Sequence, residues 1–231
     1  MYFEKKQFAK ALPLLQEYVN KSDKVSKEVM YELSYCYYDG NQVEKAIEGF
    51  KQLSNEQDSL GQNSMYLLGD LYLRTNQKEN ARSAFQYSAN NNSNRRQQEI
   101  SRFNYAKLSY ELGYQSIASS EMNKFLDLYP TSAYADEGRE ILINLLTRTN
   151  NYNDALALYA TFNKPTSGMQ RVYPKILFGR ATEEINDGKI NEADDLLFKI
   201  TRDPNAGDVL PYANFWKGEI GYRLQHYDDA I

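Results

Sequence analysis

Seven alanines lie on one ruler. Ala11, Ala46, Ala81, Ala118, Ala155, Ala193 and Ala230 follow one another at intervals of 35, 35, 37, 37, 38 and 37 residues. A period of this length, kept over all 231 residues, constrains the fold more than any local pattern. One supersecondary unit must recur and stack on its copies to bury its apolar side. Each alanine from Ala46 onward stands 12 residues after a second fixed slot, held by Ser34, Gly69, Ala106, Ile143, Ala181 and Gly218. All but Ile143 are small. Four residues after the alanines come Leu15, Phe50, Phe85, Met122, Tyr159 and Leu197, larger and mostly apolar. Such an i, i+4 pair occupies one face of a helix.

The two slots therefore read as two antiparallel helices, A and B. Small residues on each let the backbones approach, and the large residues fill the space beside them. Between the slots sit Asp39-Gly40-Asn41, Arg74-Thr75-Asn76, Leu112-Gly113-Tyr114, Thr149-Asn150-Asn151 and Asp187-Gly188-Lys189. These are residues with which a helix stops in a left-handed or turn conformation. The expected fold class is all-α, built of stacked helical hairpins.

Gly69 with Met65, Leu68 and Tyr72, followed by Ala81 and Phe85, resembles the tetratricopeptide pattern W-x-x-L-G-x-x-Y and A-x-x-x-F, with Met65 in the place of the tryptophan. Met30, Leu33, Ser34, Tyr37, Ala46 and Phe50 resemble it nearly as well, and Tyr129-Pro130 is similar to the proline that closes the family repeat. In the later copies Arg139, Ile143, Leu146 and Leu177, Arg180, Glu184 keep the phase but not the residue types. The resemblance implies a right-handed α-α superhelix, a single solenoid over residues 1–231, with five full repeats and half a repeat at each end. Leu12, Leu15 and Phe215 would then lack a stacked neighbour, which predicts that the chain is part of a longer array.

The family period is about 34 residues. The A-to-B step is constant, so the extra length lies after each alanine and predicts a longer B helix or inter-repeat turn. Pro13, inside the first B helix, predicts a kink. Pro174 and Pro211 suit first-turn positions of the fifth and sixth A helices. The polar run from Asn90 to Gln98 reads as a solvated turn, or alternatively a hinge. Lys164-Pro165-Thr166-Ser167-Gly168 and the stretch from Asp203 to Asp208 separate later repeats in the same way.

Charge narrows the function classes. Lys plus Arg number 27 against 31 Asp plus Glu, a net charge of -4 without the basic surplus that a phosphate backbone demands, so nucleic acid is not an expected partner. No apolar run is long enough to span a bilayer, so no membrane insertion is expected. One cysteine, Cys36, and one histidine, His226, make no metal-ligand set, and no cofactor is implied. Cys36 reads as a small buried apolar group and His226 as a surface turn residue. Glu183-Glu184, Asp194-Asp195 and Asp228-Asp229 read as solvated helix faces, because adjacent helical residues point apart. The chain is not expected to be an enzyme, since it has no nucleophile elbow, phosphate loop or zinc spacing.

Three residues before the small slot, five of six A helices carry an aromatic: Tyr31, Tyr66, Phe103, Phe178 and Phe215, with Glu140 the exception. The resemblance places this row toward the concave side of the solenoid. Four residues further on come Tyr35, Asp70, Lys107, Asn144, Thr182 and Glu219, a mixed and mostly polar set. Rings that bury area beside polar groups that fix register suit a protein or peptide partner. The candidate binding residues are Tyr31, Tyr35, Tyr66, Asp70, Phe103, Lys107 and Asn144. An aromatic stripe at helical spacing equally suits packing between repeats, and the sequence leaves both readings open. In chaperone-binding members of the family, lysines and asparagines at these slots hold a terminal carboxylate. Tyr31, Tyr35 and Asp70 do not match that set.

The segment from Phe125 to Glu137, FLDLYPTSAYADE, resembles the YPxSxYAxEA joint of bacterial envelope tetratricopeptide proteins, including outer-membrane assembly lipoproteins and the Tol-Pal coordinator. Gly138 stands in place of the usual alanine. Pro130 is expected to end helix B, Thr131 or Ser132 to cap the next helix, and Asp136 and Glu137 to favour its first turn. The resemblance implies a periplasmic or cell-envelope scaffold, with a cytoplasmic location as the alternative. Two other functions fit the same pattern, a glycan-binding solenoid and the docking arm of an enzyme whose catalytic domain lies outside these residues. Oligomeric state is not legible.

Overall fold

The computed structural model of the chain describes residues 2–225, so Ala230, His226 and the Asp228-Asp229 pair lie outside the described residues. Among the described residues every regular element is helical. Two compact units divide the chain, Met1–Tyr134 and Ala135–Ile231.

The first unit holds α1 (Phe8–Lys21), α2 (Lys27–Asp39), α3 (Val43–Gln52), α4 (Ser59–Arg74), α5 (Lys78–Asn90), α6 (Arg95–Glu111) and α7 (Gln115–Leu128). Each helix packs on the next in chain order, with α2, α4 and α6 as the A helices. The second unit holds α8 (Ala135–Arg148), α9 (Tyr152–Tyr159), α10 (Ser167–Asn186), α11 (Ile190–Thr201), a 3-10 turn at Gly207–Val209, and α12 (Leu210–Arg223).

The alanine ruler marks the core. Ala46, Ala81, Ala118, Ala155 and Ala193 are fully buried and Ala11 nearly so. Phe50, Phe85, Met122 and Leu197, one turn later, are buried beside them. The opposing slot behaves as the pattern requires, with Ser34, Ala106, Ile143 and Ala181 all buried.

A second ruler runs parallel to the first. Lys6, Asn41, Asn76, Gly113, Asn150, Gly188 and Gln225 have φ between 53° and 83°, and each stands five positions ahead of one of the seven alanines. At the first six of them the same pair of backbone bonds closes the preceding turn. Asn76 N–H donates to Leu73 O at 3.0 Å and Gln77 N–H to Tyr72 O at 2.7 Å. The matching bonds at Gly188 and Lys189 are 3.1 and 2.8 Å. This is the Schellman closure, which satisfies carbonyls orphaned at a helix end and requires one left-handed residue. In the turn that follows α2 the left-handed residue is Asn41 and not its neighbour Gly40, whose φ is -77°.

Several expectations are corrected. Pro174 does not start a helix. It lies buried in the interior of α10, because Thr166 accepts the Met169 N–H and begins that helix two turns earlier. Pro211 does occupy the first turn of α12. The extra repeat length is not always in helix B, for α9 has only 8 residues and the following α10 has 20. Pro13 does lie inside a helix, α1. Ser132 does not cap α8; its hydroxyl accepts the Tyr134 N–H at 3.2 Å, one residue before that helix starts. The Asn90–Gln98 run is a turn between α5 and α6, but a held one. The fully buried Gln62 side chain donates to the carbonyls of Ser88, Asn91 and Asn94 and accepts the Asn94 N–H at 2.6 Å.

Candidate interaction surface

Helix α2 begins at Ser26, whose side chain accepts the Val29 N–H, and ends in the Asn41 closure. Its fixed length places Tyr31, Tyr35 and Tyr38 on one stripe at i, i+4 and i+7. All three are half-buried. Their ring centroids step along the helix, 6.1 Å from Tyr31 to Tyr35 and 5.9 Å from Tyr35 to Tyr38. From beneath, Phe50 of α3 supports the two outer rings, at 6.1 Å from Tyr31 and 6.5 Å from Tyr38. Phe8 of α1 and Phe3 flank Tyr35 at 5.1 and 5.7 Å.

Side chains from α4 tie this stripe to the neighbouring repeat. Asp58 caps α4 by accepting the Leu60 and Gly61 N–H groups, and it also receives Lys27 of α2 at 2.6 Å. Asn63 donates to the Tyr31 hydroxyl and accepts from Gln97 of α6, so three successive A helices are linked by one amide chain. Two turns along, the Tyr38 hydroxyl donates to Asp70 at 2.8 Å and accepts from Arg74 at 2.8 Å, while Arg74 and Asp70 pair at 2.7 Å. The Arg74 guanidinium also lies over the Tyr38 ring, 4.9 Å from its centroid. Burial pushes the Tyr31 hydroxyl above its ordinary range, and burial followed by the Asp70 bond pushes Tyr38 up to about 12.

Tyr66 stands half-buried between these two linkages, its ring 6.3 Å from Phe85. Burial raises its hydroxyl as well. Phe103 departs from the row. It is 3% exposed, stacked on Tyr134 at 4.8 Å and packed against Phe125 at 5.4 Å. At this position the packing reading holds. Lys107 lies over the Phe103 ring at 5.8 Å. In the second unit, Asn144 donates to the Glu140 carbonyl one turn back at 2.9 Å, and the Glu140 carboxylate accepts from Thr166 at 3.1 Å. Phe178 packs near Tyr212, and Phe215 is exposed.

Thus Tyr31, Tyr35, Tyr66 and Asp70 come together on one face, joined by three residues that the sequence reading passed over: Tyr38, Asn63 and Arg74. Tyr38 was accessible in principle, two turns from Tyr31 on the same stripe. Elsewhere, the slot that Phe50 and Phe85 fill is open at Leu15, beside a cleft of about 440 Å³ lined by Tyr2, Phe3, Lys5, Ala11, Leu14, Leu15 and Glu32. Cys36 is 2% exposed and burial raises its thiol to about 11, which makes it an unreactive packing group. Glu184, read as solvated, is instead buried and paired with Arg180 and Lys189. Among the described residues no three His, Cys, Asp or Glu side chains gather as a metal site, and no helix is long and apolar enough to cross a membrane.

No curated protein matches the chain. Among solved structures it is similar to Naa15/Naa10 bound to HypK-THB, with 16% identity, 99% of this chain covered and a TM-score of 0.59. The chain spans 33% of that chain's length. It is also similar to a tetratricopeptide repeat protein from Parabacteroides merdae, with 16% identity over 99% of this chain and 85% of that one, at a TM-score of 0.52. At such identities the likeness is one of fold. The family model of the tetratricopeptide repeat matches residues 28–58 and 63–94, the segments that contain α2 with α3 and most of α4 with α5. Those two segments match the tetratricopeptide repeat model, within a chain whose fold is an all-α helical repeat.

Proposed function

We propose that the protein is a non-catalytic scaffold that binds a protein or peptide partner on the A-helix face of its first unit, within a bacterial cell-envelope assembly. Tetratricopeptide repeats in general mediate protein-protein interaction. The observation that carries the proposal is the tyrosine face itself. Tyr31, Tyr35 and Tyr38 step along α2 at about 6 Å, cross-linked to α4 through Asn63, Asp70 and Arg74. Half-buried tyrosines held by packing lose little freedom when a partner covers them, and aromatic residues of this kind dominate binding energy at interfaces. Asp70 is committed to Tyr38 and Arg74, and so acts as a positioning group for the ring surface. The envelope placement rests on the Phe125–Glu137 joint and its resemblance to envelope proteins.

Affinity capture with the Tyr31→Ser, Tyr35→Ser, Tyr66→Ser triple variant tests the proposal beside wild type. The variant is expected to lose the partner that wild type retains while keeping its helical circular dichroism. Retention of that partner by a folded variant refutes the assignment of the face.

A further inference from the structure

The cleft beside α1 repeats a layer of the core with two residues changed and one side uncovered. In the next layer Ala46 and Phe50 of α3 share one buried cluster with Leu67 of α4. Thirty-five residues earlier the same three slots are Ala11, Leu15 and Glu32, and all three line the cleft. The turn at residues 2–5 keeps that register. It is closed at Lys6 by the same bonds that close α2 at Asn41. Phe3 lies 5.7 Å from Tyr35, the slot relation that Tyr38 has to Asp70 one layer on. Residues 2–5 thus stand where the last turn of an A helix stands. Over Phe50, α2 sets two rings, Tyr31 and Tyr38, at 6.1 and 6.5 Å. Phe3 is the counterpart of Tyr38, and among the described residues Tyr31 has no counterpart over Leu15. A volume of about 440 Å³ stays open there.

The uncovered wall carries a charge. Leu67 is buried in its layer, whereas Glu32 at the same slot is a partly buried carboxylate with no ion pair or side-chain hydrogen bond among the described residues. Burial raises its carboxyl first and Glu4 second, and the amino terminus offsets part of that. Lys5, the one cation among the lining residues, is exposed and belongs to the closing turn, where positive charge suits a helix end. Leu14 and Leu15 supply the apolar surface, Leu14 being 53% exposed. The complement is a helix in the A position, with an apolar stripe for the two leucines and a cation for Glu32. A second copy of the chain does not bring that cation on its last described A helix. The two cations of α12 are taken, Lys217 by Asp194 at 3.0 Å and Arg223 by Glu219 at 2.9 Å.

We infer that this cleft docks a basic amphipathic α-helix of a partner protein, laid over α1 as α2 lies over α3, with a lysine or arginine against Glu32. None of the residues that line it belongs to the tyrosine face, so the two surfaces are tested separately.

Fluorescence anisotropy tests the inference with two labelled peptides of about 16 residues, an amphipathic helix of Leu, Ala and Lys and its twin with Glu in place of every Lys. The Lys peptide is expected to bind at least about tenfold tighter than the Glu twin, and less tightly as salt is raised. Glu32→Gln is expected to weaken the Lys peptide about fivefold. Glu48→Gln, which removes the same charge from an exposed position of α3, is expected to change it less than about twofold. Leu14→Ser, at an exposed position that the fold tolerates, is expected to weaken both peptides while helical circular dichroism is kept. Equal binding of the two peptides by wild type overturns the inference, as does an equal response to Glu32→Gln and Glu48→Gln. Self-association of the protein alone, read by sedimentation equilibrium and abolished by Leu14→Ser, assigns the cleft to a second copy and overturns it as well.

Discussion

Gly69 and Phe85 occupy each other's space, for a Cβ at Gly69 would meet the edge of the Phe85 ring at 2.8 Å. The two residues hold the small slot of α4 and the large slot of α5, so this one contact fixes how closely the hairpin closes. Gly69→Leu is expected to destabilise the protein by about 1–3 kcal/mol through overpacking. Phe85→Ala, which empties a buried site, costs about 3–5 kcal/mol. The two changes share a site and will not add, and Phe85→Leu should recover part of the loss in Gly69→Ala. Denaturant midpoints of the single and double variants measure the coupling.

Asn76 closes α4 with a φ of 58°. Glycine enters that region at no steric cost, whereas a β-branched residue pays about 1–2 kcal/mol or more. Asn76→Gly is therefore expected to leave the thermal midpoint nearly unchanged, and Asn76→Val to lower it by several degrees. If both variants melt together, the left-handed closure does not set the end of the helix.

Gln62 is the polar residue whose loss should be felt most locally. Gln62→Leu keeps the approximate volume but strands the Asn91 carbonyl and the Asn94 N–H, which only that side chain is seen to satisfy, while the Asn94 carbonyl keeps the Gln98 N–H. A cost of about 1–3 kcal/mol follows from leaving buried groups unpaired. Amide hydrogen exchange should accelerate between residues 91 and 98 before it does elsewhere. Uniform acceleration through the unit would argue against a local clamp.

Alkaline titration probes the tyrosine face. Tyr38 is raised to about 12 when folded, by burial first and by Asp70 second, while in the unfolded chain it ionises near 10. The unfolded state therefore gives up this proton first as pH rises. The stability that Tyr38 contributes is complete below pH about 10 and declines from there toward pH about 12. Tyr38→Phe should flatten that decline, read as the denaturant midpoint against pH. An unchanged slope in the variant would assign the alkaline loss to other tyrosines.

The phase of the fold was legible because backbone geometry enforces it. Six of the alanines are seen where helices touch, and a left-handed residue stands at a constant distance before each of them. Residue types alone did not show which member of a turn takes that conformation, as Asn41 beside Gly40 demonstrates. Pro174 misled for a different reason. Its position suits a first turn, but Thr166 supplies a better cap upstream and buried Met169 anchors the added turns. Gln62 lies at a polar position of a mixed helix, and its burial depends on a turn about 30 residues away folding back over it, a contact that local periodicity does not encode. The candidate face divided along the same line. Stripe positions on α2 follow from helical spacing, whereas the packing of Phe103 depends on Tyr134, which lies outside the stripe.

Oxidative footprinting of the protein with and without its captured partner tests the central claim most directly. Tyr35, Tyr38 and Tyr66 lie on the proposed face, while the exposed Tyr18 and Tyr114 lie on α1 and at the start of α7. The account predicts that bound partner suppresses labelling of Tyr35, Tyr38 and Tyr66 and leaves Tyr18 and Tyr114 unchanged. Protection of Tyr18 or Tyr114 with undiminished labelling of the three face tyrosines would contradict it.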